Sequence, residues 1–481
     1  MQKTQPITKT PLRGMEVLDS PNLNKGTAFT EEEREQLDLV GLLPDSVEDI
    51  DRQLERVLGH LKEKPTDLDR FIYLMNLLDT NETLFYHTLM SDPARFLEIV
   101  YDPTIGEACL KFDHIFRRPH GMYLSITRKG HVREVLRNWP VKDVRFICVT
   151  NAGRILGLGD LGANGMGIPI GKLQLYTAAA GVPPEGLLPM YLDAGTNNET
   201  YLRDPLYVGL RQKRPSRKEL YAFVDEFVEA VQEIFPNCCI HFEDWTGVDA
   251  VALLARYRNK ASCYNDDIQG TAGVTLAGLI NALKITGSQL KEQRILFLGA
   301  GSAAIGLADL IVSTLGQQGV APEAARQQIR MFDTQGLVVA GRPGLAAHKL
   351  PYAHKLPPSK PFNHLDLASE YPQIATAIED FKPTASSGPA PWANSSRGRS
   401  SRRCRARTRG QSSLPFPTRS RNMNVCPRML TPGPGARWST LAVCNSRRFT
   451  SAGGRSCLHR PTTCISSPPL AWPFTPRTRS A

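Results

Sequence analysis

The chain has 481 residues, enough for two or three domains, with 58 Lys and Arg against 47 Asp and Glu and a formal net charge of +11. The excess is local: Asp380 is the last acidic residue, and residues 385–481 hold 17 Arg and no Lys, Asp or Glu. The remaining 41 basic residues face all 47 acidic ones, so the body is acidic, which argues against a nucleic-acid-binding fold.

Cysteine usage divides in the same way. Cys109, Cys148, Cys238, Cys239 and Cys263 lie in the body, and the other five lie in the tail. No C-x-x-C pair occurs, so the body cysteines read as free, mostly buried thiols rather than zinc ligands. No apolar run reaches the roughly 18 residues of a membrane span. The N-terminus lacks the apolar stretch of a secretory signal, and the cytosol is the default expectation.

Residues 1–30 are polar and read as a loosely held arm. From Glu31 to about Tyr101 the pattern is helical, with Leu54, Val57, Leu58 and Leu61 on one stripe. Asn81 and Asp92-Pro93 read as helix starts. β-rich runs follow at 144–150, 187–193 and 239–242, with helices expected over 170–180 and 217–234. A helix to about Ile285, a strand over 294–298, a helix from Ser302 and a strand over 329–332 make a further unit. Alternating strands and helices imply a mostly parallel sheet covered by helices.

Three stretches carry chemistry. Glu243 and Asp244 close a strand, and Asp266 and Asp267 precede a helix near Thr271. Carboxylates converging there would make a hard, oxygen-only site suited to Mg²⁺ or Mn²⁺. The plainer alternative is a helix cap plus a solvated strand end. The run Gly299-Ala300-Gly301-Ser302-Ala303-Ala304 follows an apolar strand and opens an apolar helix. It fits a dinucleotide loop with the pyrophosphate on the helix N-terminus and Asp333, at the next strand end, facing ribose hydroxyls. Asp333 leans towards NAD over NADP, because a carboxylate disfavours a 2′-phosphate. The glycine-rich run from Gly153 to Gly171 brings backbone close to a ligand. It offers Arg154 as a carboxylate partner and Lys172, near a helix start, as a base whose ammonium form is disfavoured. Both also read as plain surface charges, and Tyr101 reads equally as a residue packed at a helix–loop junction.

Taken in order, Leu23–Phe29, Asn81–Phe85, Tyr101–Gly106, Arg154–Lys172, Phe242–Trp245, Asn265–Ala272 and Phe297–Gly301 resemble the malic enzyme family of the larger-subunit type. The resemblance covers residues 20 to 384. It implies metal-dependent oxidative decarboxylation of malate to pyruvate with NAD or NADP, in a homo-oligomer. It gives Tyr101 as general acid, Lys172 as general base and Arg154 as the residue holding the malate carboxylate and reaching the cofactor. It gives Glu243, Asp244 and Asp267 as metal ligands. Two departures stand beside the site: Asp102 in the Tyr101-Asp-Pro-Thr104 turn, and Asn151-Ala-Gly-Arg154 for the family's Asp-Gly-Glu-Arg.

The expected architecture is α/β. An N-terminal arm (1–30) leads into a helical region and parallel-sheet substrate and metal domain (31–269). A truncated Rossmann-like dinucleotide domain (270–384) and a disordered basic tail (385–481) follow. The tail lacks the family's Ser-Asn-Pro-Thr segment and reads as a shifted reading frame, with Leu414–Thr418 its nearest relic. No sheet is expected in it. The rival readings are an inactive remnant and an Arg-rich nucleic-acid binder, the latter betrayed by salt-sensitive binding.

Overall fold

A computed structural model of the chain describes residues 10–355, 377–378, 380–389, 411–416 and 439–444. These residues form two compact units, 1–241 and 242–481, with the border inside one strand. That border precedes the expected one at 269/270.

In the first unit the helices Ile50–Glu63, Asp67–Thr80, Glu82–Ser91, Pro93–Val100 and Thr104–Leu110 follow one another. Asn81 caps one through Oδ1, which accepts the Leu84 N–H at 2.9 Å, and Asp92 with Pro93 starts the next. Val57 and Leu61 of the expected stripe are buried, in a cluster with Phe85, Phe96 and Val100. The arm is better held than expected. Its Val17 and Phe29 are buried in a small core together with Leu37 and Leu39 of the segment that follows.

Strands β1 (Met122–Ser125), β2 (Phe146–Thr150), β3 (Leu187–Asp193), β4 (Cys239–Phe242) and β5 (Cys263–Asn265) are ordered β1-β3-β2-β4-β5. β3 runs parallel to both β1 and β2, with Met122 opposite Met190 and Phe146 opposite Leu187. β3 is buried along its whole length, as a strand covered on both faces must be. β1 and β5 escaped the sequence reading because both are short and lack alternation.

The second sheet contains β6 (Ile295–Leu298), β7 (Ile329–Asp333), β8 (Gly336–Leu337), β9 (Ala385–Pro389), β10 (Gln411–Phe416) and β11 (Ser439–Cys444), in the order β10-β11-β9-β6-β7-β8. β6 pairs in parallel with β7 and β9. The strands β9, β10 and β11 differ from the expectation of no sheet in this segment. β11 runs antiparallel to β9 and to β10, so β9 has a neighbour on both sides. β11, with Thr440, Leu441 and Val443, takes up the hydrogen bonds that the edge of β9 would leave unpaired. The Arg-rich run 397–407 lies outside the described residues. No helix among the described residues is long and apolar enough to cross a membrane.

Candidate active site

In the first unit Tyr101 ends the helix Pro93–Val100 and Lys172 lies on the helix Gly167–Ala180. The Lys172 Nζ stands 5.1 Å from the centroid of the Tyr101 ring. A glycine makes this approach possible. A Cβ on Gly171 would fall 2.8 Å from Tyr101 Cδ2 and 2.9 Å from the Val100 carbonyl oxygen. Lys172 sits in the second turn of its helix rather than at its start. The helix terminus therefore acts on it only weakly, since that field falls off within the first turn. Arg154 is exposed on the loop between β2 and the helix Gly167–Ala180.

In the second unit the carboxylates are not solvated. Glu243 and Asp244 are 4% and 7% exposed. Asp244 adopts a left-handed backbone, φ 55°, a conformation unusual outside glycine and concentrated at functional sites. Its N–H donates to Asp267 Oδ2 at 2.9 Å. Carboxylate oxygens of Glu243 and Asp266 lie within 4.8 Å of each other. The cap of the turn Asp266–Gly270 is Asn265, whose Oδ1 accepts the Ile268 N–H at 2.9 Å. Neither aspartate is thus spent as the cap. Asn265 is itself fully buried, and its Nδ2 has no partner among the described residues. The structure pairs Asp244 with Asp267 and Glu243 with Asp266, an oxygen-rich set that suits Mg²⁺ or Mn²⁺.

The dinucleotide loop adjoins the same carboxylates. A Cβ on Gly306, in the helix Ser302–Gln317, would fall 2.5 Å from the Ile268 carbonyl oxygen. The helix therefore packs backbone to backbone on the turn that holds Asp266 and Asp267. Gly299, Ala300 and Gly301 link β6 to this helix, and Ser302, Ala303 and Ala304 form its first turn. Among the described residues no side chain caps its N-terminus, and a Cβ on Gly301 would meet nothing within 4 Å. That leaves N–H groups and open space where a pyrophosphate would lie.

Asp333 ends β7 as expected, but it is not a bare carboxylate. Arg342 Nη2 and Lys349 Nζ both donate to Oδ2, the latter at 2.7 Å, and the Gln335 N–H donates to Oδ1 at 2.9 Å. Burial pushes its pKa up, and the bonds from Arg342 and Lys349 more than offset this, holding it below the ordinary value. The carboxylate on which the lean towards NAD rests is therefore already paired with two cations. Those cations follow Asp333 by 9 and 16 residues, a spacing with no motif to flag it.

Residues 78–258 match the family model of the malic enzyme N-terminal domain, and residues 268–394 match that of the malic enzyme NAD binding domain. The chain belongs to the malic enzyme family. The "NADP-dependent malic enzyme" of Anas platyrhynchos is 48% identical over 379 residues, covering 79% of this chain and 66% of that one. The human protein of the same name is 46% identical, covering 79% and 64%. The match thus spans just under two thirds of these malic enzymes' own length. A solved malic enzyme of Entamoeba histolytica aligns with a TM-score of 0.36 at 21% identity, over 68% of this chain and 58% of that one. That likeness is too low to add to the argument.

Proposed function

We propose that this malic enzyme chain oxidatively decarboxylates L-malate to pyruvate and CO₂ with reduction of NADP. The observation that carries the reading is the approach of Lys172 to Tyr101, which places the amine over the face of the phenol ring, 5.1 Å from its centroid. Lys172 Nζ accepts the proton of the substrate hydroxyl as C2 is oxidised. Once CO₂ has left and its bonding pair remains as an enolate, Tyr101 delivers a proton to C3, and the proton that Lys172 took from the hydroxyl restores the phenol. Arg154 pairs with a substrate carboxylate through its fork of N–H donors. Glu243, Asp244 and Asp267 would hold a divalent cation and the Gly299–Ala304 turn a dinucleotide; when bound, they supply Lewis acidity and the hydride acceptor.

NADP is preferred in this reading to NAD. Arg342 and Lys349 beside Asp333 favour an extra phosphate, and the relatives are named as NADP-dependent. Homo-oligomeric assembly and residence in the cytosol belong to the same proposal.

Malate-dependent absorbance at the reduced nicotinamide band tests it. With Mn²⁺ the purified chain is expected to reduce NADP faster than NAD, and EDTA to abolish the reaction. Lys172→Ala is expected to lower kcat by roughly 10²–10⁴ with a smaller change in malate affinity. No reduction of either cofactor by the full chain would favour an inactive remnant. That alternative draws on residues 395–481, which lie beyond both family models.

A further inference from the structure

The loop that carries Arg154 is closed at both levels. At its tip Ile155 and Gly159 exchange two backbone hydrogen bonds of 2.9 Å. At its base the Arg214 Nε donates to Asp160 Oδ2 at 2.9 Å, and Nη2 donates to Asp160 Oδ1 at 2.7 Å. The same Nη2 donates to the Asn151 carbonyl oxygen at 2.8 Å. One guanidinium therefore bridges residues 151 and 160, the two ends of the loop. The Asn197 N–H donates to Asp160 Oδ2 at 2.8 Å, and Asn197 Oδ1 accepts the Arg214 N–H at 3.2 Å. The Arg214 and Asp160 side chains are only 10% and 17% exposed, while Arg154 is exposed.

We infer that Arg214 is a positioning residue, which fixes the loop so that Arg154 meets a carboxylate-bearing substrate already oriented. This rests on the reading of Arg154 as the partner of a malate carboxylate. Arg214 is needed as an arginine. Its planar fork makes two bonds to Asp160 while one nitrogen also reaches Asn151, whereas a lysine ammonium could neutralise Asp160 without spanning both ends. A loop ordered before the substrate arrives avoids the entropy cost of ordering it on binding.

The test uses the full chain with Arg154→Ala, Arg214→Lys and the paired variant Asp160→Asn/Arg214→Met. The paired variant leaves no uncompensated buried charge and so guards against simple unfolding. Trypsin cleavage after Arg154, followed by mass spectrometry, reads the clamp. It is expected to be at least tenfold faster in Arg214→Lys and in the paired variant, with other cuts unchanged. Malate titrated into protein holding NADPH and Mn²⁺ reads the consequence without turnover. Both Arg154→Ala and Arg214→Lys are expected to weaken malate binding about tenfold, with Arg214→Lys leaving NADPH affinity unchanged and both variants still melting cooperatively above the assay temperature. An unchanged cleavage rate overturns the clamp. Weakening by Arg154→Ala but not by Arg214→Lys overturns the positioning role. No effect of Arg154→Ala, or no malate binding by the parent chain, places the failure in the reading of Arg154 and removes the inference with it.

Discussion

Gly171 decides how closely Lys172 can approach Tyr101. An added methyl must push against the Val100 backbone, which has no rotamer to yield, so Gly171→Ala is expected to cost about 1–3 kcal/mol. Urea unfolding reads the loss, and an unchanged midpoint would show that the helix shifts freely. The Asp160–Arg214 pair makes a prediction in pH. Burial pushes the Asp160 pKa up, and the bonds from Arg214 outweigh burial and hold it below the ordinary value. A group with a lowered folded pKa contributes stability above the unfolded value, about 4, and loses it as pH falls through the folded one. The stability of the parent chain relative to Asp160→Asn/Arg214→Met is therefore expected to stay constant from pH 8 to about 5. It should fall against the parent below about pH 4. A gap that stays flat to pH 3 would mean that the pair is not formed. Tyr101, Lys172 and the four carboxylates could be singled out only through the resemblance, since their spacing alone fits plain structural roles equally well. Arg214 was not singled out at all, because its role lies in bridging segments 54 and 63 positions away along the chain.

Two glycines of the second unit separate packing from binding. Gly306 faces the Ile268 carbonyl at a distance that a methyl cannot share, whereas Gly301 faces open space. Gly306→Ala is expected to lower both melting temperature and NADPH affinity, because it levers the helix Ser302–Gln317 from the turn that carries Asp266 and Asp267. Gly301→Ala should leave melting unchanged and weaken NADPH alone, since its methyl would occupy the space a pyrophosphate takes. Fluorescence titration and thermal melting distinguish the two, and equal effects of both substitutions on melting would refute the contrast. The strand–turn–helix itself was legible, because an apolar strand, a glycine turn and an apolar helix leave few alternatives. The turn Asp266–Gly270 was not, because its cap Asn265 stands one residue before the aspartates that could equally have served.

At the scale of the whole chain the arginine-rich segment from residue 385 on contributes three strands, β9, β10 and β11, rather than none. β11 covers the edge of β9 that would otherwise present unpaired backbone groups. A chain ending at residue 444 is therefore expected to melt like the full one. A chain ending at residue 394, where the second family model stops, should melt lower and scatter light on warming. Equal melting of both shortened chains would show that β10 and β11 add nothing to the sheet.

By itself the sequence determined the family and the parallel α/β architecture, and its resemblance supplied the acid, base and carboxylates that the proposed function rests on. Hydrophobic period, glycine turns and the order of short motifs are all properties of neighbours along the chain. Only the tertiary structure decided that Gly171 lets Lys172 reach Tyr101 and that Glu243 and Asp244 are buried rather than solvated. It alone showed that Asp333 is neutralised by Arg342 and Lys349, and that Arg214 closes the loop of Arg154. Each of these depends on which distant segments fold against one another, and burial and charge pairing exist only once they have done so.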